Sequence, residues 1–414
     1  MSKKKIKNTK QQQKGGYKKF LADMQEVIKL FKVKPELKNI PHDERRMMYN
    51  IRIRISNPTP SNKLISSREV KRIAEKIKRY YRDKNIHNNN LIYSNYQLML
   101  LSCFSKIIKR KVLLEINDEN HPKAIECSRL SSVAFESFYS TYIVNSFKII
   151  TQLNSPDNKY YGLNIRFGSL VKDNPSFEII TKLYGIPPYK CVLNINGIKR
   201  LAYRLGKAVD NQPFEWIKLD KTCLGEYYTG TNDSLDIFIQ SHAIKRLSQR
   251  LDLLNREGIN YVLWENTCNI KKFETYKGYL LLPFYVYKVK VGYLLANIID
   301  DKVLFRTFLF ITHNFTPEGD KLKNISGIEK HDVSYWRIDR LSTFVSIDEN
   351  KYPKVMDLFK NAGLEDLTTL KSKDFNVDKI QSTNLEGFMK YVKKGRQNLM
   401  MQQEDFTEIL EEAF

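Results

Sequence analysis

The sequence predicts an α+β protein: a basic, mostly α-helical N-terminal region followed by a C-terminal helix plus antiparallel β-sheet module. Three observations carry this reading. Charge is concentrated at one end: residues 1–112 hold 29 Lys and Arg but 8 Asp and Glu, a net of +21, while 113–414 come to +2. Apolar residues in the first third recur at spacings of three and four, the period of a helix. Beyond residue 260, β-branched and aromatic residues crowd into short runs separated by turn residues, the pattern of paired strands.

Taken in order, residues 1–20 carry eight lysines and no acid and read as a disordered basic arm that orders on a polyanion. Residues 21–150 read as a basic, mostly helical region. Met24, Val27, Ile28, Leu30 and Phe31 begin a helix, and "IRIRIS" at 51–56 alternates like a short strand with Arg52 and Arg54 on one face. A strong helix follows from the cap candidate Ser67, with Val70, Ile73, Ala74, Ile77 and Tyr81 inward and Lys71, Lys78, Arg79 and Arg82 outward. Another helix is expected from about Asn95 to Leu114. Residues 151–235 read as a mixed connecting region, in which "YYGLNIRFGSL" and "KCVLNI" look like strands and "GIKRLAYRLGKAV" like a helix.

The clearest module spans 236–350. A helix is expected over Ser241–Asn255, then strands at "YVLWE", "KFETYKGYLLLPFYVYKVKV", "GYLLANII" and "KVLFRTFLFITH", with a hairpin turn at Asp300–Asp301. Residues 351–414 read as a helical tail. Its acidic end, "EDFTEILEEAF", suits docking on itself or on a protein partner.

Bulk properties narrow the function. Apolar residues make up 42% of the chain, enough for a packed core. No run is long enough to predict a membrane span, and the basic start has no apolar segment behind it. The cysteines (Cys103, Cys127, Cys191, Cys223, Cys268) are scattered and form no CxxC pair, so neither a disulfide framework nor a zinc ribbon is expected. A reducing compartment fits, either the cytoplasm or the inside of a virion. The charge asymmetry points to nucleic acid as partner, RNA favoured over DNA. Lys3, Lys4 and Lys5 join Arg52, Arg54, Lys71, Lys78, Arg79 and Arg82 as candidate phosphate contacts.

Candidate chemistry lies in "SHAIKRLSQR". Spacing four places His242, Arg246 and Arg250 in one slanting row beside the apolar stripe Ala243, Leu247, Leu251 and Leu254. Such border positions suit either a groove wall or arginines laying their stems on apolar surface. On the strand "KVLFRTFLFITH", alternation sets Leu304, Arg306, Phe308 and Phe310 on one face. It sets Val303, Phe305, Thr307, Leu309 and His313 on the other. Arg306 is costly on so apolar a strand unless paired. Two weaker patterns have bland explanations. "RDKNIH" spaces Arg82 and His87 like a HEPN-type ribonuclease, but the following asparagines break the helix. "HNFTPEGDKL" gathers His313, Glu318 and Asp320, which reads as turn chemistry, so no metal and no cofactor is expected.

The order of a helix with His242, Ala243, Arg246 and Arg250, a meander, and a strand with Arg306–Thr307 resembles the RelE-like and barnase-like ribonuclease superfamily over about 236–320. The resemblance implies metal-independent RNA cleavage by the neighbouring 2′-hydroxyl. His242 and His313 would be the acid/base candidates, and Arg246, Arg250 and Arg306 the phosphate clamp. It leaves open which histidine plays which role. Two other functions fit the sequence: a non-catalytic nucleic-acid-associated structural protein of a virion or packaging apparatus, and a protein-interaction module docking through its acidic terminal helix.

Overall fold

In the first of two units, Leu98–Phe104 of α4 (Asn95–Ile116) are buried all round. A helix apolar on every side has to be enclosed, and α4 is the axis of this unit. In the computed structural model, residues 3–393 are described except 89, 172–173, 196, 211, 374 and 376–386; the side chains of 3–14 and 169–176 also lie outside the described residues. The terminal segment 404–414 and the side chains of Lys3, Lys4 and Lys5 therefore fall beyond the description.

The first unit comprises residues 1–150, 161–185 and 208–213. Helix α1 runs Lys3–Leu30, so residues 3–20 of the stretch read as a disordered arm are helical. Lysine and glutamine are good helix formers, and the helix extends from an anchored end where Phe20, Met24, Val27 and Ile28 are buried. Its acids bind back to the unit: Asp23 accepts from Tyr96 at 3.0 Å and Glu26 from Gln97 at 3.1 Å. Helix α2 (His42–Ile51) ends before Arg52, leaving only β1 (Arg54–Ile55) of the expected alternating strand, then β2 (Thr59–Pro60). Arg52 instead folds its guanidinium over the Tyr49 ring at 3.5 Å, while Arg54 is exposed.

Helix α3 (Ser67–Arg82) is capped by Ser66, one residue earlier than expected, in a reciprocal box with Glu69. It buries Ile73, Ala74 and Ile77 and leaves Lys71, Lys78, Arg79 and Arg82 exposed. His87 lies on the hairpin of β3 (Lys84–Asn88) and β4 (Leu91–Ser94), so Arg82 and His87 share no helix face. After α5 (Pro122–Leu153), strands β5 (Tyr160–Val171) and β6 (Asn174–Ile186) pair, with β1 and β2 parallel to β6.

The second unit takes residues 151–160, 186–207 and 214–414. The stretch 151–235 is thus shared between the units. "GIKRLAYR" is strand β8 (Ile198–Arg204), not a helix. It returns from β7 (Lys190–Ile195) at a tight turn where Gly197 takes φ +80°. β9 (Gly206–Lys207) pairs with β10 (Glu215–Trp216), and β11 (Lys218–Asp220) with β12 (Ser234–Gln240).

Two helices follow where one was expected, α6 (Ser241–Arg250) and α7 (Arg256–Thr267). "YVLWE" belongs to α7. Asn255 caps that helix, and Ile259, Val262 and Leu263 at helical spacing face the core, which overrides the strand propensity of Val and Trp. The meander β13 (Glu274–Tyr276), β14 (Tyr279–Val286), β15 (Val289–Ile299) and β16 (Lys302–Phe310) turns at three two-residue corners. All three pairs, Lys277–Gly278, Tyr287–Lys288 and Asp300–Asp301, have both φ positive, the type I′ geometry that matches strand twist. The meander is antiparallel, yet β16 also pairs with β12 in parallel, so the full sheet is mixed, in the order β13-β14-β15-β16-β12-β8-β7.

Helices α8 (Pro317–Ser326), α9 (Lys330–Tyr335), α10 (Leu341–Ser346) and α11 (Pro353–Ala362) follow in the same unit. Val355, Phe359, Leu367 and Leu370 belong to the same core as the sheet, so the beginning of the expected tail is core structure. Among the described residues no helix is long and apolar enough to cross a membrane.

Candidate active site in a cationic cleft

The pairing of β12 with β16 stops at Ile239 and Phe305, while β16 continues to Phe310 bonded to β15 alone. This leaves one edge of β16 open where α6 departs. A cleft of about 540 Å³ occupies the opening, and His242, Arg246, Arg250, Arg306 and His313 all line it.

Each residue arrives by a local cause. Ala243, Leu247 and Leu251 are fully buried, which turns the neighbouring row His242–Arg246–Arg250 to the border of the helix. Gln240 is the N-cap of α6 but makes no side-chain capping bond, and it lines the cleft with His242; the positive end of the helix therefore opens there.

Arg306 sits at a bulge: Leu295 faces Thr307 and Ala296 faces Phe305, so Arg306 has no cross-strand partner. The bulge reverses the alternation expected from sequence. Val303 and Phe305 share the main core with Phe308 and Phe310, whereas Leu304 and Leu309 lie in other clusters. Freed from the ladder, Arg306 is half-buried and donates to Asn297 at 3.3 Å.

His313 is held by its loop. Its N–H donates to the Phe310 carbonyl at 2.9 Å, and its own carbonyl accepts from Thr316 at 2.8 Å. Nδ1 accepts the Phe315 N–H at 3.2 Å, which leaves the proton of the neutral ring on Nε2. Gly319 permits the packing, since a Cβ there would lie 2.0 Å from the His313 carbonyl oxygen. Glu318 accepts from the Tyr293 hydroxyl and pairs with Lys290, and Asp320 accepts from Tyr276 and pairs with Lys277, so both carboxylates are engaged.

The electrostatics are one-sided. Arg200 and Lys330 join the predicted arginines in the lining, and the one lining carboxylate among the described residues, Asp339, pairs with Arg250. Both imidazoles are held below their ordinary range. Burial lowers His242 first, with Arg246, Arg200 and Lys245 adding repulsion. For His313, burial comes first and then Lys330, Arg250 and Arg246, pushing it down to about 4. Both rings are neutral at pH 7, and Arg246 acts on each. Three atoms of lining residues, Gln240 Nε2, Asn314 Oδ1 and Asp339 Oδ1, are buried with no hydrogen-bond partner among the described residues. Such groups are costly unless something satisfies them.

Sequence reasoning found five lining residues and missed Arg200, Gln240, Asn314, Lys330 and Asp339. Arg200 lay in a segment read as helix, and Lys330 and Asp339 carry no local signal at all. The exposed basic row of α3 belongs to the other unit and forms no part of the cleft. The chain matches no protein-family model, no curated protein and no solved structure with which it was compared.

Proposed function

We propose that the protein binds RNA and that the cationic cleft of the second unit cleaves it without a metal, as the resemblance to RelE-like ribonucleases implies. The observation that carries this is the meeting of two histidines with Arg200, Arg246, Arg306 and Lys330 in one open cleft. A phosphodiester seated there lies among cations that gain from charge developing in the transition state. His242, on the exposed rim with its ring depressed to neutrality, takes the 2′-hydroxyl proton. His313, neutral, offers its Nε2–H as a hydrogen bond to a phosphoryl oxygen, because its Nδ1 is committed to Phe315, and the leaving oxygen takes its proton from water in the open cleft. The N-terminal region supplies affinity through counterion release, with the exposed face of α3 as contact. Such a protein belongs with its RNA, in a cytoplasm or a virion interior.

The test is cleavage of a single-stranded RNA oligonucleotide in EDTA. The wild-type chain is expected to cut it, and His242→Ala to slow cutting by about 10²–10⁴-fold. A scaffold reading has its own support, the depressed basicity of both rings. It expects RNA binding with no cleavage by the wild-type chain, and that result would replace the nuclease reading.

A further inference from the structure

A second cavity, of about 390 Å³, lies within the first unit and plays no part in the cleft. On one face of α4, Ser102, Lys106 and Lys109 follow at helical spacing. On α5, Ser128, Ser131, Ser132 and Phe135 face them across the cavity, and Phe167 of β5 and Phe177 of β6 close it. The rings form a continuous aromatic wall. Phe167 and Phe177 stack at 5.1 Å, and Phe135 meets Phe167 edge-on at 5.6 Å. Phe167 lines the cavity and is still 38% exposed, so part of it is left to water.

The cations are placed on this wall. The Lys106 ammonium stands 5.4 Å over the Phe177 ring, and Lys109 donates to Ser128 Oγ at 3.1 Å. Among the described residues no carboxylate pairs with either. Half-buried aromatic rings, unpaired ammonium groups and serine hydroxyls in one concavity match a flat heteroaromatic ring linked to an anion. The size lies in the ~300–1,000 Å³ range of small-ligand sites.

We propose that this cavity takes one unstacked nucleotide of a single-stranded nucleic acid. The base stacks on the exposed ring of Phe167, which Phe177 backs, its edge meets the Ser132 hydroxyl, and Lys106 and Lys109 hold the flanking phosphates. The net +21 of residues 1–112 argues for a nucleic acid over a neutral aromatic ligand. A base inside a duplex is stacked on both sides and cannot enter, so the site selects single strands. This rests on the reading that the N-terminal region binds RNA and does not depend on cleavage.

The experiment titrates the full chain into a labelled oligouridine and into a duplex of equal length. The Phe167→Ala, Phe177→Ala pair is expected to weaken oligouridine binding by roughly tenfold or more, the scale of a lost base stack, and to spare duplex binding. The Lys106→Gln, Lys109→Gln pair is expected to flatten the slope of log affinity against log salt by about 0.7 per phosphate lost. Photocrosslinks from 4-thiouridine are expected on Phe167 or Phe177 peptides. Oligouridine affinity unchanged in the phenylalanine pair, or an equal loss on duplex, overturns the proposal while leaving RNA binding intact. A wild-type chain that binds neither oligonucleotide overturns the RNA reading itself, and this inference with it. Should the alanine pair unfold, Phe177→Trp and the crosslinks decide: retained affinity with crosslinks at the cavity supports the site, and crosslinks confined to other peptides exclude it.

Discussion

His313 shows how a single side chain reports on the whole cleft. Its folded pKa of about 4 lies below the ordinary 6.5, so the unfolded chain binds more protons between those values. Stability is therefore expected to fall as pH drops from about 6.5 to about 4, with no contribution from this group above 6.5. His313→Gln is expected to flatten melting temperature against pH across that window; an unaltered slope would refute the assignment. Part of the shift comes from Lys330, Arg250 and Arg246, so an anion seated among them has to raise it. Inorganic phosphate is expected to move the His313 titration upward by NMR, and a titration unmoved by phosphate would mean no anion sits there. Two neighbouring arginines separate by the same logic. Arg250→Ala leaves Asp339, buried at 5% exposure, with only the distant Arg340 at 3.9 Å in place of its close cation, and is expected to destabilise by about 3–5 kcal/mol. Arg246, held among the described residues by Gln249 alone at 3.3 Å, is expected to cost within about 0.5 kcal/mol in a melt yet weaken RNA handling. Equal melting losses for the two variants would contradict this division.

At the scale of elements, the cleft exists because β16 outruns β12 and because a bulge turns Arg306 out of the ladder. The His313 loop depends in turn on α8, whose Gly319 lets the two backbones meet. Gly319→Ala has to push the loop away. It is expected to cost about 1–3 kcal/mol, as overpacking does, and to change the His313 chemical shifts even in the folded state. A variant with wild-type stability and shifts would show that the loop is not held by this contact.

For the whole molecule, the described residues from Val355 to Leu370 are part of the second unit's core. Phe359 is fully buried against Phe344 at 4.9 Å. Phe359→Ala is expected to cost about 3–5 kcal/mol in denaturant unfolding, far more than loss of a loosely docked tail would. A cost under about 1 kcal/mol would restore the tail reading. Much of the rest was legible in the residues alone. The amphipathic row of α6, the turn at Asp300–Asp301 and the division of charge each depend on a few neighbouring residues or on composition, which sequence states directly. The same local logic misplaced "YVLWE" and "GIKRLAYR", whose propensities lost to packing and pairing with distant segments. Tertiary structure alone decided the bulge at Arg306, the parallel pairing of β12 with β16, and the arrival of Arg200, Lys330 and Asp339 beside α6. Register and strand order are set by which distant surfaces bury one another, and no window of sequence contains both partners.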